Sequence, residues 1–288
     1  MKTMTVKASA KINLLLDVVG KRNDGYHYIK SVFQSVGIFD IVTVTETSKG
    51  IRITADKPGI PCDMTNIAYK AALLFMEYTG IECGVDIHIE KNIPSQAGLG
   101  GGSSDGAAVL FAMNEMFGTR MTISELAEIG GRISADTAFF IFGGTAFVEG
   151  IGEIINPIRS LAPFHLVIAK GKAGISTPEA YSRIDTLETI EHPKMGKLLK
   201  AIDKGNFLKK CELCENVFEL VTETKDVFDL KNHLEGAGAK KALMSGSGSA
   251  VFGIFEHKKD ADKCVEELRK YYYYAEYCEA VSQSLMIV

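Results

Sequence analysis

Between an alternating strand-like segment, VDIHIE, and an apolar stretch at helical spacing, SDGAAVLFAMNEMFG, lie Pro94, Ser95, Gln96, Ala97, Gly98, Leu99, Gly100, Gly101, Gly102, Ser103 and Ser104. Glycine-dense backbone of this kind tolerates positive φ and lets a partner approach the main chain closely. Because the run opens directly onto a helix, it forms an anion cradle: the first helical N–H groups have no intrahelical acceptor and sit at the positive end of the helix dipole. Ser103 and Ser104 add hydroxyls at that end. A flexible linker shares the composition, but linkers join domains, whereas this loop joins adjacent elements. It is not a Walker A loop, since no Gly-Lys-Ser/Thr follows. It also fails as a dinucleotide fingerprint, because Gly98-Leu99-Gly100 is followed three residues on by Ser103.

A second loop, Ser245, Gly246, Ser247, Gly248 and Ser249, joins two apolar segments near the C-terminus. Alone it is compatible with a hairpin turn. One such loop in each half points to a nucleotide and its acceptor held between two lobes. The chain has 288 residues, ample for two domains with cores of their own. With 32 basic against 36 acidic side chains, it has no excess positive field for a nucleic-acid backbone. Lys7, Lys11 and Asn13 interrupt the opening segment, so it has no signal-type apolar core. The longest uncharged apolar stretch, 137–148, is too short to span a bilayer. The expectation is a cytoplasmic protein, monomer or weak homodimer, acting on a small molecule without nucleic-acid or membrane partners.

From residue 5 to 56 the pattern is strand-like, punctuated by the turn KRNDG. NIAYKAALLFMEYTG is a predicted helix closed by Gly80, and TISELAEIGGRI is another, capped by Thr122 or Ser124. A boundary at 157–163 divides the chain into 1–160 and 161–288. The second part begins with the strand FHLVIAKG, followed by predicted helices at 178–184, 194–203, 207–221 and 226–235. A helix at 258–272 and the strand YCEAVSQS close the chain, with Tyr271, Tyr272, Tyr273 and Tyr274 packing on the sheet. In the helix predicted for 207–221, Phe207, Cys211, Cys214, Phe218 and Val221 share a face. That makes the lone CxxC pair core filler; no second pair stands at zinc-site spacing.

Three segments, 7–16, 94–108 and 236–252, resemble in order and spacing the three motifs of the GHMP kinases (galactose, homoserine, mevalonate and phosphomevalonate kinases). The resemblance covers nearly the whole chain. Within that family, Ala10-Lys11-Ile12-Asn13-Leu14, the segment RNDGYH at 22–27, Phe33-Gln34, Gly150 to Glu153, Ser176 to Tyr181 and the loop at 244–248 are similar to a particular branch. Its members phosphorylate the 2-hydroxyl of a cytidine-diphosphate-linked methylerythritol in the non-mevalonate route to isoprenoids.

The resemblance implies an α+β fold of two lobes, the first like the second domain of ribosomal protein S5 and the second ferredoxin-like. It implies ATP and Mg²⁺ as cofactors, although no protein ligand for the metal can be named. By position, it assigns the catalytic pair to Lys11 and Asp136, which suits proton abstraction from an alcohol beside a stabilising cation. ATP falls to Asn66, Lys91, Pro94, Gly98, Leu99, Gly100, Gly101, Gly102, Ser103 and Ser104. The acceptor falls to Asn13, Tyr26, His27, Tyr181, Gly246, Ser247 and Gly248, with the aromatic rings placed to stack on cytosine. Two further readings stay open: a kinase of another small alcohol, and a nucleotide-binding regulatory paralogue with weak catalysis.

The chain departs from the family pattern around the aspartate. Ser134 stands where a glycine is usual and Ala138 where a proline is usual, so the expectation is an altered geometry for Asp136 if that glycine served a positive φ.

Overall fold

The computed structural model describes residues 1–161 and 163–288. It is an α+β protein with two sheets. Strands β1 (Thr3–Lys21), β2 (His27–Thr47), β3 (Gly50–Ala55) and β4 (Gly84–Glu90) form the first sheet with β5 (Thr145–Glu149), β6 (Ile154–Pro157) and β11 (Leu285–Ile287), in the core order β11-β1-β2-β4-β3. The segments SVFQSV and IVTVTET, separate in the sequence pattern, belong to the single long strand β2. Register shifts between Ser9 and Ala10, Asn13 and Leu15, and Val18 and Gly20 bend the β1–β2 ribbon. The bending lets one half serve the first sheet while the other half reaches the second.

Helices α1 (Ile67–Thr79), α2 (Gly101–Phe117) and α3 (Ile123–Ile133) pack on the first sheet through Ala68, Phe75, Val109, Met113 and Leu126 against Val6, Val42, Val44 and Ile87. Two of them start at a side-chain cap. Asn66 Oδ1 accepts from the Ala68 amide at α1, and Thr122 forms a reciprocal capping box with Glu125 at α3. A short helix, α4 (Thr137–Phe142), starts immediately after Asp136.

The second sheet has the order β10-β7-β9-β8, built from β7 (His165–Lys170), β8 (Lys241–Met244), β9 (Val251–Phe255) and β10 (Tyr274–Glu279), all pairs antiparallel. On one face α7 (Lys225–Gly236) and α8 (Lys258–Leu268) cover Val167, Ala169 and Val251. The other face, with Leu166, Ile168, Phe252 and Ile254, meets Ile12, Leu14, Leu15 and Val32 of the β1–β2 ribbon in one continuous core, together with α6 (Met195–Asp203). β11 crosses back to pair with β1, so the chain beyond residue 160 contributes to both sheets.

Three expectations fail. The helix predicted at 207–221 is instead three short 3-10 turns, Phe207–Lys209, Cys211–Leu213 and Val217–Leu220. Phe207, Cys211 and Cys214 enter the core between the sheets, while Val217 and Phe218 enter the core beneath α7, and no straight helix reaches both. The last predicted helix stops at Leu268, leaving Tyr271 and Tyr273 exposed; only Tyr272 and Tyr274 pack. The final predicted strand lies earlier, at Tyr274–Glu279, and residues 280–284 run on as a loop that joins β2 through Val281 N–H and Ser35 O.

Candidate active site

The loop at 94–104 takes the predicted strand-to-helix position. Gly98 and Gly100 both adopt left-handed φ, +73° and +72°, and neither has room for a side chain. A Cβ on Gly98 would lie 2.0 Å from Ser245 O, and one on Gly100 would lie 2.7 Å from the Phe140 ring. The loop is thus clamped between the second Gly/Ser loop and α4. Ser245 Oγ donates to Gly98 O at 3.0 Å, and the Ala250 amide donates to Ala97 O. The two loops, far apart in sequence, are one structure. Asn216 organises the second by donating through Nδ2 to both Met244 O and Gly246 O at 2.8 Å.

Gly100 begins α2 with no side-chain cap, and no acceptor among the described residues takes the amides of Gly101, Gly102 or Ser103. Those donors face a cavity of about 500 Å³ bounded by Ile60, Pro61, Asn66, Lys91 and residues 93–103. Asn66 lies at its edge with both polar atoms engaged: Oδ1 accepts from Ala68 and Nδ2 donates to Pro61 O. Lys91 is buried, its ammonium between Asp40 and Asp105, which lies 2.7 Å away. Burial opposes its charge, but the two carboxylates outweigh that and raise its pKa. Burial in turn lifts Asp105 well above the usual carboxylate range, against the pull of Lys91. Asp40 Oδ1 also accepts the amides of Asn92 and Ile93, so this buried charge cluster pins the end of β4, the start of the loop and the first turn of α2.

A second cavity, about 410 Å³, is lined by Lys11, Asn13, Tyr26, His27, Asp136, Tyr181, Gly246 and Ser247. Gly98, Gly100 and Ser103 line both cavities, so the two meet at the loop. At that junction Lys11 Nζ stands 3.7 Å from Asp136 Oδ2, donates to Asn13 Oδ1 at 2.7 Å and lies 4.7 Å from the centre of the Phe33 ring. Burial lowers the Lys11 pKa, with Asp136 pulling it back up. Ser134 has φ −157°, extended backbone open to any residue, so its replacement of glycine introduces no strain beside Asp136.

Farther along this cavity, the His27 and Tyr181 rings stack at 4.6 Å and 15°, while Tyr26 stays 62% exposed across the opening. Tyr181 has its hydroxyl pKa pushed up to about 12, chiefly by burial and secondarily by Asp136. Ser247 Oγ and Thr177 Oγ1 are 2.8 Å apart, joining the second loop to the start of α5 (Thr177–Ile184). Gly248 lies beyond the cavity lining, packed on Ile175 and Met244. Ser104 is buried in α2 with its hydroxyl unpaired.

Sequence reasoning missed Asp40, Asp185 and Asn216. Asp185, at the end of α5, accepts from Lys21 Nζ at 2.5 Å and pairs with His27 Nε2 at 2.7 Å, fastening the β1–β2 turn to the helix that carries Tyr181. Asp40 and Asp185 sit in no local pattern, and Asn216, which caps the Phe218 amide locally, owes its contact with the second loop to a partner distant in the chain. A larger cleft, about 690 Å³ around Arg159, Phe207 and Lys240, shares no residue with either cavity.

A glycine-dense loop clamped by tertiary contacts, with unpaired helix-start amides on one cavity and a lysine–aspartate pair where that cavity meets a second, is the arrangement a small-molecule phosphotransferase requires. The N-terminal domain profile of the GHMP kinases matches residues 66–144 and the C-terminal profile matches 187–273. The chain belongs to the GHMP kinase family, whose members use ATP. It is 44% identical over 271 residues to the 4-diphosphocytidyl-2-C-methyl-D-erythritol kinase of Clostridium tetani, covering 93% of this chain and 97% of that protein. It is also similar to a crystal structure of 4-(cytidine 5'-diphospho)-2C-methyl-D-erythritol kinase, with TM-score 0.78 and 31% identity over 96% of this chain and 99% of the other. The homoserine kinase of Cytophaga hutchinsonii shares the fold at TM-score 0.78 with 19% identity, over 100% of this chain and 98% of the other. No helix among the described residues is long and apolar enough to cross a membrane.

Proposed function

We propose that this chain transfers the γ-phosphoryl group of ATP to the 2-hydroxyl of 4-diphosphocytidyl-2-C-methyl-D-erythritol, a step of non-mevalonate isoprenoid synthesis. The observation that carries the reading is the Lys11–Asp136 pair at the seam of two cavities that share Gly98, Gly100 and Ser103. The triphosphate lies along the loop amides, and the acceptor hydroxyl lies against Asp136. Asp136 takes the hydroxyl proton as the oxygen bonds to the γ-phosphorus and the bond to the β-phosphate oxygen breaks; ADP leaves with that electron pair. Lys11 keeps a positive charge beside the transferring group, and Asn13 fixes the ammonium. Lys91 and Asn66 shape the ATP site by holding its walls. Tyr26, His27 and Tyr181 receive the cytosine, a flat ring that gains from an aromatic face.

Magnesium supplies charge neutralisation on the β- and γ-phosphate oxygens when bound. The donor set suits an ion that arrives with the triphosphate: no group of three His, Cys, Asp or Glu side chains among the described residues forms a cage. Ser103 and Asp136, which line the second cavity, would supply oxygens beside it.

The test is ADP release from Mg-ATP with the cytidine-linked alcohol, beside a panel of small sugar-like and phosphorylated alcohols. Folded protein without turnover on this alcohol sinks the reading. Turnover on another member of the panel in its place assigns a different acceptor. ATP binding without turnover on any of them assigns a regulatory paralogue.

A further inference from the structure

Three hydroxyls form a chain from the loop at 94–104 to Ser134 and Thr137, on either side of Asp136. Ser103 Oγ lies 2.9 Å from Ser134 Oγ, which lies 2.7 Å from Thr137 Oγ1. Ser103 belongs to the first turn of α2 and lines both cavities, whereas Ser134 and Thr137 flank Asp136. Asp136 makes no side-chain capping bond to α4; its carboxylate pairs with Lys11, and the residues on either side fix the backbone that carries it. Thr137 is fully buried, and Ser134 is the partner of its hydroxyl. Its methyl group is wedged at Gly130, where an added Cβ would come within 3.0 Å of Thr137 Cγ2, which holds χ1 and aims the hydroxyl.

Each hydroxyl has one proton, so the chain's polarity is set as a unit. If Thr137 donates to Ser134 and Ser134 to Ser103, the Ser103 proton is left for an anionic oxygen. If the order reverses, Ser103 turns its lone pairs to the ligand.

We propose that Ser134 and Thr137 are positioning residues for phosphoryl transfer, directing the Ser103 hydroxyl and holding Asp136 in register with the phosphate loop. This rests on the kinase reading above. Ser134 stands where the resemblance leads one to expect glycine, a residue that cannot make this link.

The experiment measures kcat, both KM values and the melting temperature for the parent, Thr137→Val, Ser134→Ala, the double variant and Thr137→Ser. Valine keeps the shape of threonine without its hydroxyl. The expected result is a fall in kcat of about tenfold for each single variant, with both KM values within about twofold, as for an interaction specific to the transition state. The double variant falls little further, because one chain breaks once. Thr137→Ser recovers most of the loss. Single variants within about twofold of the parent in kcat overturn the proposal, as does a rise in KM at constant kcat. A loss that follows the melting temperature and is not recovered by Thr137→Ser overturns it too. Parent turnover beside unaffected variants removes this relay alone; a parent without turnover removes the kinase reading and the relay with it.

Discussion

Lys11 sits where two demands conflict. It is buried at the seam of the cavities, and the proposed reaction requires it to stay charged beside phosphate. Burial lowers its pKa and Asp136, 3.7 Å away, restores part of it. In the proposed reaction the protonated form is the active one, so kcat should fall as pH rises through the lowered Lys11 pKa, below the roughly 10.4 of an ordinary lysine. A kcat profile from about pH 7 to pH 10 locates that limb. Lys11→Arg, charged throughout, should abolish the limb while lowering the plateau, since a planar guanidinium does not reproduce a point charge. A flat profile for the parent would show that Lys11 titrates outside the step measured. Asp136→Ala should cost about 10²- to 10⁴-fold in kcat while calorimetry still detects ATP binding, as expected for loss of a general base. Near-parental turnover would place the base elsewhere.

At the scale of elements, the phosphate loop depends on tertiary neighbours as much as on its own glycines. Gly98→Ala forces a side chain into left-handed backbone and into Ser245 O, whereas Gly25→Ala meets only the first of these penalties, because nothing lies within 4 Å of its would-be Cβ. Denaturant melts should therefore show the larger loss for Gly98→Ala, with ATP affinity falling only in that variant; equal losses would mean that the clash is relieved by loop movement. Asp185 tests the acceptor side. Asp185→Asn should raise KM for the cytidine-linked alcohol several-fold and leave KM for ATP unchanged, since the Lys21–Asp185–His27 bridge reaches, through His27, only the cavity proposed for the acceptor. Its carboxyl pKa is lowered, first by Lys21 and then by His27. The bridge's stabilisation is therefore complete above the ordinary aspartate pKa of about 3.9 and is lost as pH falls through the lower folded value.

Local patterns made much of this scale legible. Thr122 or Ser124 before one apolar period and Asn66 before another point to helix starts, and Thr122 and Asn66 do cap α3 and α1; the glycine run falls between strand and helix as expected. The stretch 207–221 misled because its apolar residues do keep helical spacing. Cys214 and Phe218 nonetheless enter different cores, and Asn216 between them turns its side chain to the loop at 244–246 while capping the Phe218 amide. Spacing records which residues are buried, not which core receives them. Lys11 and Asp136 could be picked out only through family likeness, and Asp40, Asp185 and Asn216 only once the fold had brought distant segments together.

At the scale of the whole molecule, the two sheets share one core. One face of the second sheet closes directly on the β1–β2 ribbon, and β11 returns from the C-terminus to the edge of the first sheet. The loop at 94–104 and the loop at 245–249 meet at that shared core, which holds Ala97, Leu99 and Ala250, with Ser245 Oγ donating to Gly98 O. The halves should therefore unfold together. Calorimetry is expected to show a single transition for the parent. Leu15→Ala in the ribbon and Phe252→Ala in the second sheet, both fully buried, should each move that whole transition, at a cost of about 2 to 5 kcal/mol. Two resolved transitions, with Leu15→Ala shifting one and Phe252→Ala the other, would mean that the lobes hold separate cores and that the seam between the cavities forms only when substrates draw them together.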